Sequence, residues 1–174
     1  MQSHIFLTGD IQVGKSTIIR KVIHELELSP GGFRTSWGDP LSDGSSELFL
    51  LGMDEAPSSD RIAARRFGFG SGITAFPEIF DDVGSRLLAE ASSSPLIIMD
   101  ELGFIEKNAA EFQKAVLSTL NGSIPVLGVV RNMQTPFLDK VRSHPSVEVI
   151  IVTKENREEI FQQVLAVFKK SYSR

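Results

Sequence analysis

The 174-residue sequence contains no cysteine, which excludes disulfide bonds, thiolate chemistry and zinc sites built on cysteine. Its three histidines, His4, His24 and His144, are too scattered to show metal-ligand spacing. No apolar run approaches the length of a membrane span, and Met1-Gln2-Ser3-His4 leads directly into an apolar run without a signal-peptide pattern. We therefore expect a cytoplasmic protein with no membrane partner.

The sequence also lacks an excess of positive charge. Its 18 basic and 22 acidic residues give a net charge of -4, so nucleic acid is not an expected partner. A hydrophobic content of 41% and a charged content of 23% are ordinary for a soluble globular protein. Because no repeat or linker divides the chain, we expect one domain covering residues 1–174.

One stretch near the N-terminus carries a clear functional pattern. Residues 9–16 read Gly-Asp-Ile-Gln-Val-Gly-Lys-Ser and match the phosphate-binding pattern G-x-x-x-x-G-K-[ST]. The apolar run Ile5-Phe6-Leu7 predicts a buried strand before it, and a helical pattern starts at Thr17. In that arrangement, backbone N–H groups and a helix N-terminus attract polyphosphate. A chance match in a glycine-rich turn is the weaker interpretation.

Each part of this loop has an expected role in binding a nucleoside triphosphate. Lys15 supplies a cation for the outer phosphates, and Ser16 supplies a hydroxyl for Mg²⁺. The two glycines allow the backbone to approach the phosphates closely. The predicted nucleotide-binding residues here are Gly9, Asp10, Ile11, Gln12, Val13, Gly14, Lys15, Ser16 and Thr17.

Strand and helix patterns alternate along the rest of the chain. Helices are predicted over residues 14–27, 76–91, 108–120 and 137–142, and in a final helix whose N-cap is Thr153. Strands are predicted over residues 5–7, 33–37, 47–51, 96–99, 125–130 and 147–152, the second and third forming a hairpin. Between Gly52 and Thr74 the pattern weakens, and Pro57-Ser58-Ser59 and Gly68-Phe69-Gly70-Ser71-Gly72 predict a long irregular segment.

This alternation predicts an α/β fold with a doubly wound, mostly parallel sheet and helices on both faces. Together with the phosphate loop, it indicates a P-loop NTPase fold of the RecA-like (ASCE) type with a β-hairpin insertion.

A pair of acids follows the most apolar strand. Leu96-Ile97-Ile98-Met99 shows no alternation, which is typical of a strand buried on both faces, and it ends at Asp100 and Glu101. There Asp100 can hold Mg²⁺ together with Ser16, and Glu101 can take a proton from an attacking water. The alternatives are a capping role for Asp100 and a solvent-facing position for Glu101.

An arginine follows another buried strand and is a candidate for stabilising transition-state charge. If Val126–Val130 lies between the phosphate-loop strand and the Asp100 strand, Arg131 points at the γ-phosphate. Lys15, Glu101 and Arg131 are therefore the predicted catalytic residues. A surface position is the alternative for Arg131.

Three more arginines, Arg61, Arg65 and Arg66, fall in the weakly patterned segment. They could close over the nucleotide as a lid, with a surface location as the alternative.

The turn after the last strand is the candidate for contacting the nucleotide base. Residues 147–152 should lie beside the phosphate-loop strand, so the next turn borders the space where the base projects. Asn156 offers a donor and an acceptor for a base edge, and Arg157 can stack on a ring face. The alternative is that both occupy the exposed first turn of a capped helix.

The chain resembles the small P-loop nucleoside-triphosphatase family known from thermophiles and as the human cancer-related nucleoside-triphosphatase. The blocks that carry this resemblance span nearly the whole chain: Gly14-Lys15-Ser16-Thr17, Gly32-Phe33-Arg34-Thr35, Asp100-Glu101-Leu102-Gly103 with Glu106, and Val152-Thr153-Lys154-Glu155-Asn156-Arg157. The resemblance implies a monomeric or loosely associated Mg²⁺-dependent enzyme that hydrolyses ATP, GTP and other nucleoside triphosphates with broad base tolerance. The residues alone also leave open a nucleotide or small-molecule kinase, in which the Phe33–Leu51 hairpin and the arginine-bearing segment bind an acceptor. A slow nucleotide-dependent switch that controls a partner protein is the other alternative.

The phosphate loop departs from that family at one place. Members usually carry Pro-Gly-x where this chain has Asp10-Ile11-Gln12. An aspartate near a polyphosphate is unfavourable unless it faces away or contacts the metal, so turnover rate and nucleotide preference can differ from the family's.

Overall fold

The computed structural model describes residues 4–68 and 72–172, and it shows one eight-stranded sheet with helices on both faces. The strands are β1 (His4–Thr8), β2 (Gly31–Trp37), β3 (Ser45–Leu51), β4 (Ile62–Phe67), β5 (Ile73–Ala75), β6 (Ile97–Leu102), β7 (Val126–Val130) and β8 (Val147–Ile151). The helices are α1 (Lys15–Leu26), α2 (Pro77–Ile79), α3 (Ser85–Glu90), α4 (Ala110–Leu120), α5 (Pro136–Arg142) and α6 (Arg157–Tyr172).

The sheet has the order β5-β4-β3-β2-β6-β7-β1-β8. Strands β2, β6, β7, β1 and β8 run parallel, and β3 to β5 extend the sheet as antiparallel neighbours. The predicted α/β fold class is confirmed. So are two predicted neighbours, because β7 lies between β1 and β6, and β8 lies beside β1.

Both faces of the sheet are covered, which explains why its central strands are apolar without alternation. Ile5 and Leu7 of β1 pack on the face that carries α1 and α6, and Phe6 packs on the face that carries α3, α4 and α5. Helix α1 buries Ile18, Ile19 and Val22 in the first of these layers, as its helical spacing requires. The two layers hold the carboxyl ends of β1, β6 and β7 at one edge of the molecule.

The prediction of an irregular segment between Gly52 and Thr74 is wrong. The hairpin of β2 and β3 continues into β4 and β5, and a short 3₁₀ turn at Ser59–Arg61 precedes β4. Two small residues and two arginines occupy the middle of β4, so the usual apolar alternation of a strand is hidden. Residues 69–71, in the predicted glycine-rich turn, lie outside the described residues, as do residues 1–3.

The helix predicted over residues 76–91 is interrupted. A π-helical turn at Phe80–Gly84 separates α2 from α3, and a 3₁₀ turn at Ala91–Ser93 follows. Gly84 lies against the Phe112 ring, where an added Cβ would come within 2.5 Å of a ring carbon. The close approach of α4 therefore requires glycine within this turn, a tertiary demand that helical spacing does not reveal.

Helix α6 starts later than expected. The Thr153 hydroxyl accepts a hydrogen bond from the Asn156 N–H at 3.2 Å, so Thr153 caps the turn that leads into the helix. Asn156 directly precedes the helix, and its carbonyl accepts from the Ile160 N–H at 2.9 Å.

In the described parts of the chain, residues 4–68 and 72–172, no helix is both long and apolar enough to cross a membrane.

Candidate functional site

The phosphate loop joins β1 to α1 and depends on glycine at both ends. Gly9 has φ 135° and Gly14 has φ 108°, a region that disfavours residues with a Cβ. At Gly9 a Cβ would lie 2.3 Å from the carbonyl oxygen of Val152. The loop therefore packs directly on the backbone after β8 and opens onto the N-terminus of α1.

Lys15 folds back over this loop. Its Nζ donates to the carbonyl of Gly9 at 3.0 Å and also to the carbonyl of Asp10. Burial lowers the pKa of Lys15, and the nearby Glu101 acts in the opposite direction. A bound phosphate can replace these carbonyls. Its negative charge then stabilises the charged form of Lys15, which burial disfavours. The Asp10 side chain is exposed.

Ser16 and Asp100 form the candidate metal site. The Ser16 hydroxyl donates to Asp100 Oδ1 at 3.2 Å. Burial raises the pKa of Asp100 to about 6, although the Ser16 hydrogen bond opposes this rise. Among residues 4–68 and 72–172, no lysine or arginine forms an ion pair with Asp100. Hydroxyl and carboxylate oxygens suit Mg²⁺, and a cation would offset this buried charge, so the two residues fit it.

Protein side chains alone would not complete the coordination of that ion. The part of the chain that the structure describes contains no group of three or more histidine, aspartate or glutamate residues able to hold a metal. Mg²⁺ bound here would depend on phosphate oxygens and water for its other ligands.

Glu101 and Arg131 meet across the ends of β6 and β7. Arg131 Nε lies 3.2 Å from Glu101 Oε1, and their side chains are 32% and 34% exposed. The Arg131 N–H also donates to the Leu102 carbonyl at 2.9 Å, which holds the two strand ends together. The structure thus brings all three predicted catalytic residues, Lys15 included, to one edge of the sheet.

These residues border an open cleft of about 820 Å³. This volume lies within the range of pockets that bind nucleotide-sized ligands. The lining consists of most of the phosphate loop and of side chains from the neighbouring strand ends: Gly9, Asp10, Ile11, Gln12, Gly14, Lys15, Ser16, Thr17, Trp37, Glu101, Arg131, Asn132, Met133 and Arg157. Val13 is buried and packs in the core beneath the loop.

The two candidate base-contacting residues differ in position. Arg157 lines the cleft, and its Cδ lies 3.4 Å from where a Cβ on Gly14 would be. Asn156 uses its amide on the backbone instead, because Oδ1 accepts from the Thr153 N–H at 2.7 Å and Nδ2 donates to the Ile151 carbonyl at 3.0 Å. Asn156 therefore shapes the turn, and Arg157 is the residue that reaches the cleft.

A second, smaller space lies on the other side of the acid pair, and we call it the inner cavity. Its volume is about 200 Å³, and it shares Ser16, Trp37, Glu101 and Arg131 with the nucleotide cleft. It is further lined by Thr35, Leu48, Arg66, Ile73, Phe80, Asp100, Gly103, Phe104, Ile105 and Glu106.

Sequence reasoning did not single out Thr35 and Trp37 as residues of the site, and included them only within the Phe33–Leu51 hairpin of the kinase alternative. Both lie on β2, which pairs with β6 so that Arg34 is opposite Asp100. The Thr35 hydroxyl donates to the Asp100 carbonyl at 3.4 Å. Their spacing of two places them on one face of a strand, but only the pairing with β6 shows that this face borders the acids.

The three arginines of the predicted lid separate in the structure. Arg61 lies in the 3₁₀ turn and pairs with Glu55 at 2.7 Å, which lowers the pKa of that carboxyl. Arg65 pairs with Glu47 of β3, and Arg66 lies over the Trp37 ring at 4.4 Å from its centroid. Of these three, only Arg66 lines a space next to the acid pair.

Glu106 is the most buried carboxyl of the site. It is 2% exposed, and Oε1 accepts a hydrogen bond from the Gly103 N–H. Burial raises the pKa of Glu106 to about 7; the Gly103 hydrogen bond and Arg131 oppose this rise, and the charge of Glu101 adds to it. The folded protein therefore holds the Glu106 proton at a pH where the unfolded chain has lost it.

Glu106→Gln is expected to remove a pH-dependent loss of stability. Because folding raises this pKa from 4.5 to about 7, the wild-type protein loses stability as the pH rises through that window. Across the whole window the loss in the free energy of unfolding is about 3 kcal/mol. Urea unfolding at pH 5 and pH 8 should show the glutamine variant gaining stability relative to wild type at the higher pH. A difference between the two proteins that does not change with pH would contradict the assignment.

Comparisons with known proteins agree with this geometry. The sequence profile of a family described as NTPase matches residues 4–165. The nucleoside-triphosphatase THEP1 of Methanosarcina acetivorans is 29% identical over 168 residues, which cover 92% of this chain and 93% of the relative. THEP1 of Thermotoga sp. (strain RQ2) is 26% identical over 176 residues, with 95% of each chain covered.

Two solved structures share the fold. The crystal structure of THEP1 from Aquifex aeolicus has a TM-score of 0.75 at 21% identity and covers 94% of this chain and 98% of its own. The solution structure of a human cancer-related nucleoside triphosphatase has a TM-score of 0.67 at 24% identity, and the match covers 97% of this chain and 98% of that protein. The resemblance noted in the sequence is thereby confirmed. Because the family profile spans nearly the whole chain, this protein belongs to the NTPase family.

Proposed function

We propose that this protein is a Mg²⁺-dependent nucleoside-triphosphatase that converts ATP, GTP and other nucleoside triphosphates to the diphosphate and phosphate within a single domain. One observation carries the proposal. A complete phosphate loop faces a cleft that also contains Ser16 and Glu101, and the Ser16 hydroxyl donates to Asp100, which lines the adjoining inner cavity. Hydrolysis needs a phosphate cradle, a metal site and a base within reach of water, and these are the groups present.

Nucleotide binding uses the loop and the first turn of α1. The N–H groups of the loop and of the helix N-terminus bind the phosphates. The Lys15 ammonium then donates to phosphate oxygens in place of the carbonyls of Gly9 and Asp10. Ser16 and Asp100 would hold Mg²⁺, which would neutralise charge on the phosphate oxygens. Arg157 lines the cleft beside Gly14, where it can contact the base or ribose.

Water activation falls to Glu101. Its carboxylate accepts the proton of a water that attacks the γ-phosphorus, the bond to the β,γ-bridging oxygen breaks, and its electron pair stays with the diphosphate. In the structure Glu101 is paired with Arg131. We infer that the arriving γ-phosphate competes for the guanidinium, so that Arg131 contacts phosphate oxygens while Glu101 is freed for the water.

Phosphate release from ATP, GTP, CTP and UTP, with the protein alone and with or without Mg²⁺, tests this function. We expect saturable release from all four nucleotides, lost when EDTA removes the metal. Release that requires an added metabolite would favour the kinase, and release that requires a partner protein would favour the switch.

Arg157→Ala is expected to raise KM for ATP and GTP together while kcat stays nearly unchanged. The guanidinium lines the cleft beside Gly14 and can stack on any base, so its loss weakens binding of the ground state and the transition state equally. Losing a stacking contact of this kind should raise KM by about two- to fivefold. Steady-state kinetics measure the effect, with Lys154→Ala in the same turn as the matched control. An unchanged KM for both nucleotides would assign Arg157 to the helix surface.

A further inference from the structure

The inner cavity is larger than the hydrolytic reaction requires. Its volume of about 200 Å³ exceeds the ~30 Å³ that one water occupies in the liquid. An engineered cavity of ~150 Å³ is known to hold benzene, so this space suits one ring with a short substituent. A nucleotide, with its base, ribose and phosphate, is too large for it.

The walls of the cavity favour a planar, apolar ring. Three of the lining side chains are aromatic, and three are aliphatic: Trp37, Phe80, Phe104, Leu48, Ile73 and Ile105. Phe80 is almost fully buried, whereas Trp37 and Phe104 are half-buried. Aromatic walls hold a planar ring by stacking and edge contacts in addition to the burial of its surface.

The charges around the cavity leave one cation available. Arg131 is paired with Glu101. The Asp100 carboxyl accepts a hydrogen bond from the Ser16 hydroxyl, and the Glu106 carboxyl accepts one from the Gly103 N–H. Within residues 4–68 and 72–172, the recorded contact of the Arg66 guanidinium is the Trp37 ring at 4.4 Å.

A guanidinium stacked on a ring can still use its N–H edges. Those edges form paired hydrogen bonds with a carboxylate or a similar anion. Arg66 therefore combines with the aromatic wall to recognise a ring and an acidic group in one molecule.

We propose that the inner cavity is a second ligand site, which binds a single-ring planar molecule that carries a carboxylate or a comparable anionic group. The ring packs against Trp37 and Phe80, and the anionic group binds Arg66. Because Glu101 lines the same cavity, the ligand lies beside the carboxylate that activates water, in the place where the kinase interpretation needs an acceptor. That Glu101 activates water beside this ligand rests on the proposed function, whereas the binding of the ligand to the cavity does not.

Benzoate is a suitable probe, and Trp37 is a built-in reporter because it is the only tryptophan of the sequence. Tryptophan fluorescence is recorded while benzoate is added to the full chain in the presence of saturating ADP and Mg²⁺, which occupy the phosphate cleft. We expect a saturable change. Arg66→Gln should weaken the benzoate affinity by about 10- to 100-fold, the effect of losing a charged hydrogen-bond partner.

Matched controls separate this site from general effects. Arg86→Gln changes an arginine that is paired with Glu90 on α3, outside the cavity, and should bind benzoate as wild type does. Arg66→Lys keeps the charge without the planar fork and should give an intermediate affinity. With the wild-type protein, benzamide lacks the charge and cyclohexanecarboxylate lacks the planar ring, so both should bind more weakly than benzoate.

Three results would each overturn the proposal. One is the absence of a saturable change with benzoate, and another is equal binding by the Arg66→Gln protein after thermal unfolding has shown that it is folded. The third is a saturable signal that appears in a parallel titration without ADP but not in its presence, which would place the carboxylate in the phosphate cleft. Phosphate release without benzoate is measured separately, so a failure of hydrolysis contradicts only the proposed function.

Discussion

Glu101→Gln is expected to slow nucleoside-triphosphate hydrolysis by about 10²–10⁴-fold while triphosphate affinity stays near the wild-type value. Glutamine keeps the size of the side chain but cannot accept the proton of the attacking water. Glu101 lines the cleft and pairs with Arg131, whereas the Lys15 ammonium donates to the carbonyls of Gly9 and Asp10, so the phosphate cradle should remain intact. Single-turnover hydrolysis and titration with a non-hydrolysable analogue measure the two quantities separately.

A matched control for this variant is Glu111→Gln, an exposed acid in the first turn of α4. It should change neither hydrolysis nor affinity. If the Glu101→Gln protein hydrolysed nucleotide near the wild-type rate, Glu101 would not be the base, and Glu106 or Asp10 would become the candidate.

Lys15→Ala is expected to abolish tight triphosphate binding. The loop offers no second side-chain cation at the outer phosphates, since Lys15 alone folds over the carbonyls of Gly9 and Asp10. Losing such a charge-assisted contact costs about 2–5 kcal/mol, or roughly 30- to 5000-fold in the dissociation constant. Titration with a fluorescent triphosphate analogue gives this constant, and Lys114→Ala on α4 is the control. An unchanged dissociation constant would show that the loop does not bind phosphate in this protein.

Local patterns of the sequence were sufficient to predict the main parts of the site. The spacing of Gly14, Lys15 and Ser16 after an apolar run predicts a strand, a loop and a helix, and the structure has β1, the phosphate loop and α1 in that order. The apolar run before Asp100 predicts a strand buried on both faces, and β6 is such a strand. These predictions succeed because the physical requirement in each case lies within about ten consecutive residues.

Long-range pairing explains what the sequence could not show. Trp37 borders the acid pair only because β2 lies beside β6, and Arg66 reaches Trp37 only because β4 extends the hairpin. The polar composition of β4 suggested an irregular lid, yet Arg65 pairs with Glu47 and Arg66 stacks on Trp37 across the sheet. Asn156 likewise looked suitable for a base edge, but the turn after β8 uses both ends of its amide.

The departure of the phosphate loop from its family is also clearer in the structure. Asp10 meets Lys15 through its backbone carbonyl, while its side chain is exposed. Ile11 is 72% exposed and lines the nucleotide cleft. The larger side chains therefore surround the cradle without blocking the glycine positions that shape it.

Hydrolysis in ¹⁸O-labelled water tests the central claim most directly. The purified protein is incubated with ATP and Mg²⁺ alone, and the phosphate and diphosphate products are analysed by mass spectrometry. If Glu101 activates water for attack on the γ-phosphorus, each phosphate released in a single turnover carries one ¹⁸O atom and the diphosphate carries none. Label in the diphosphate, or no turnover until a metabolite or partner protein is added, would contradict the account.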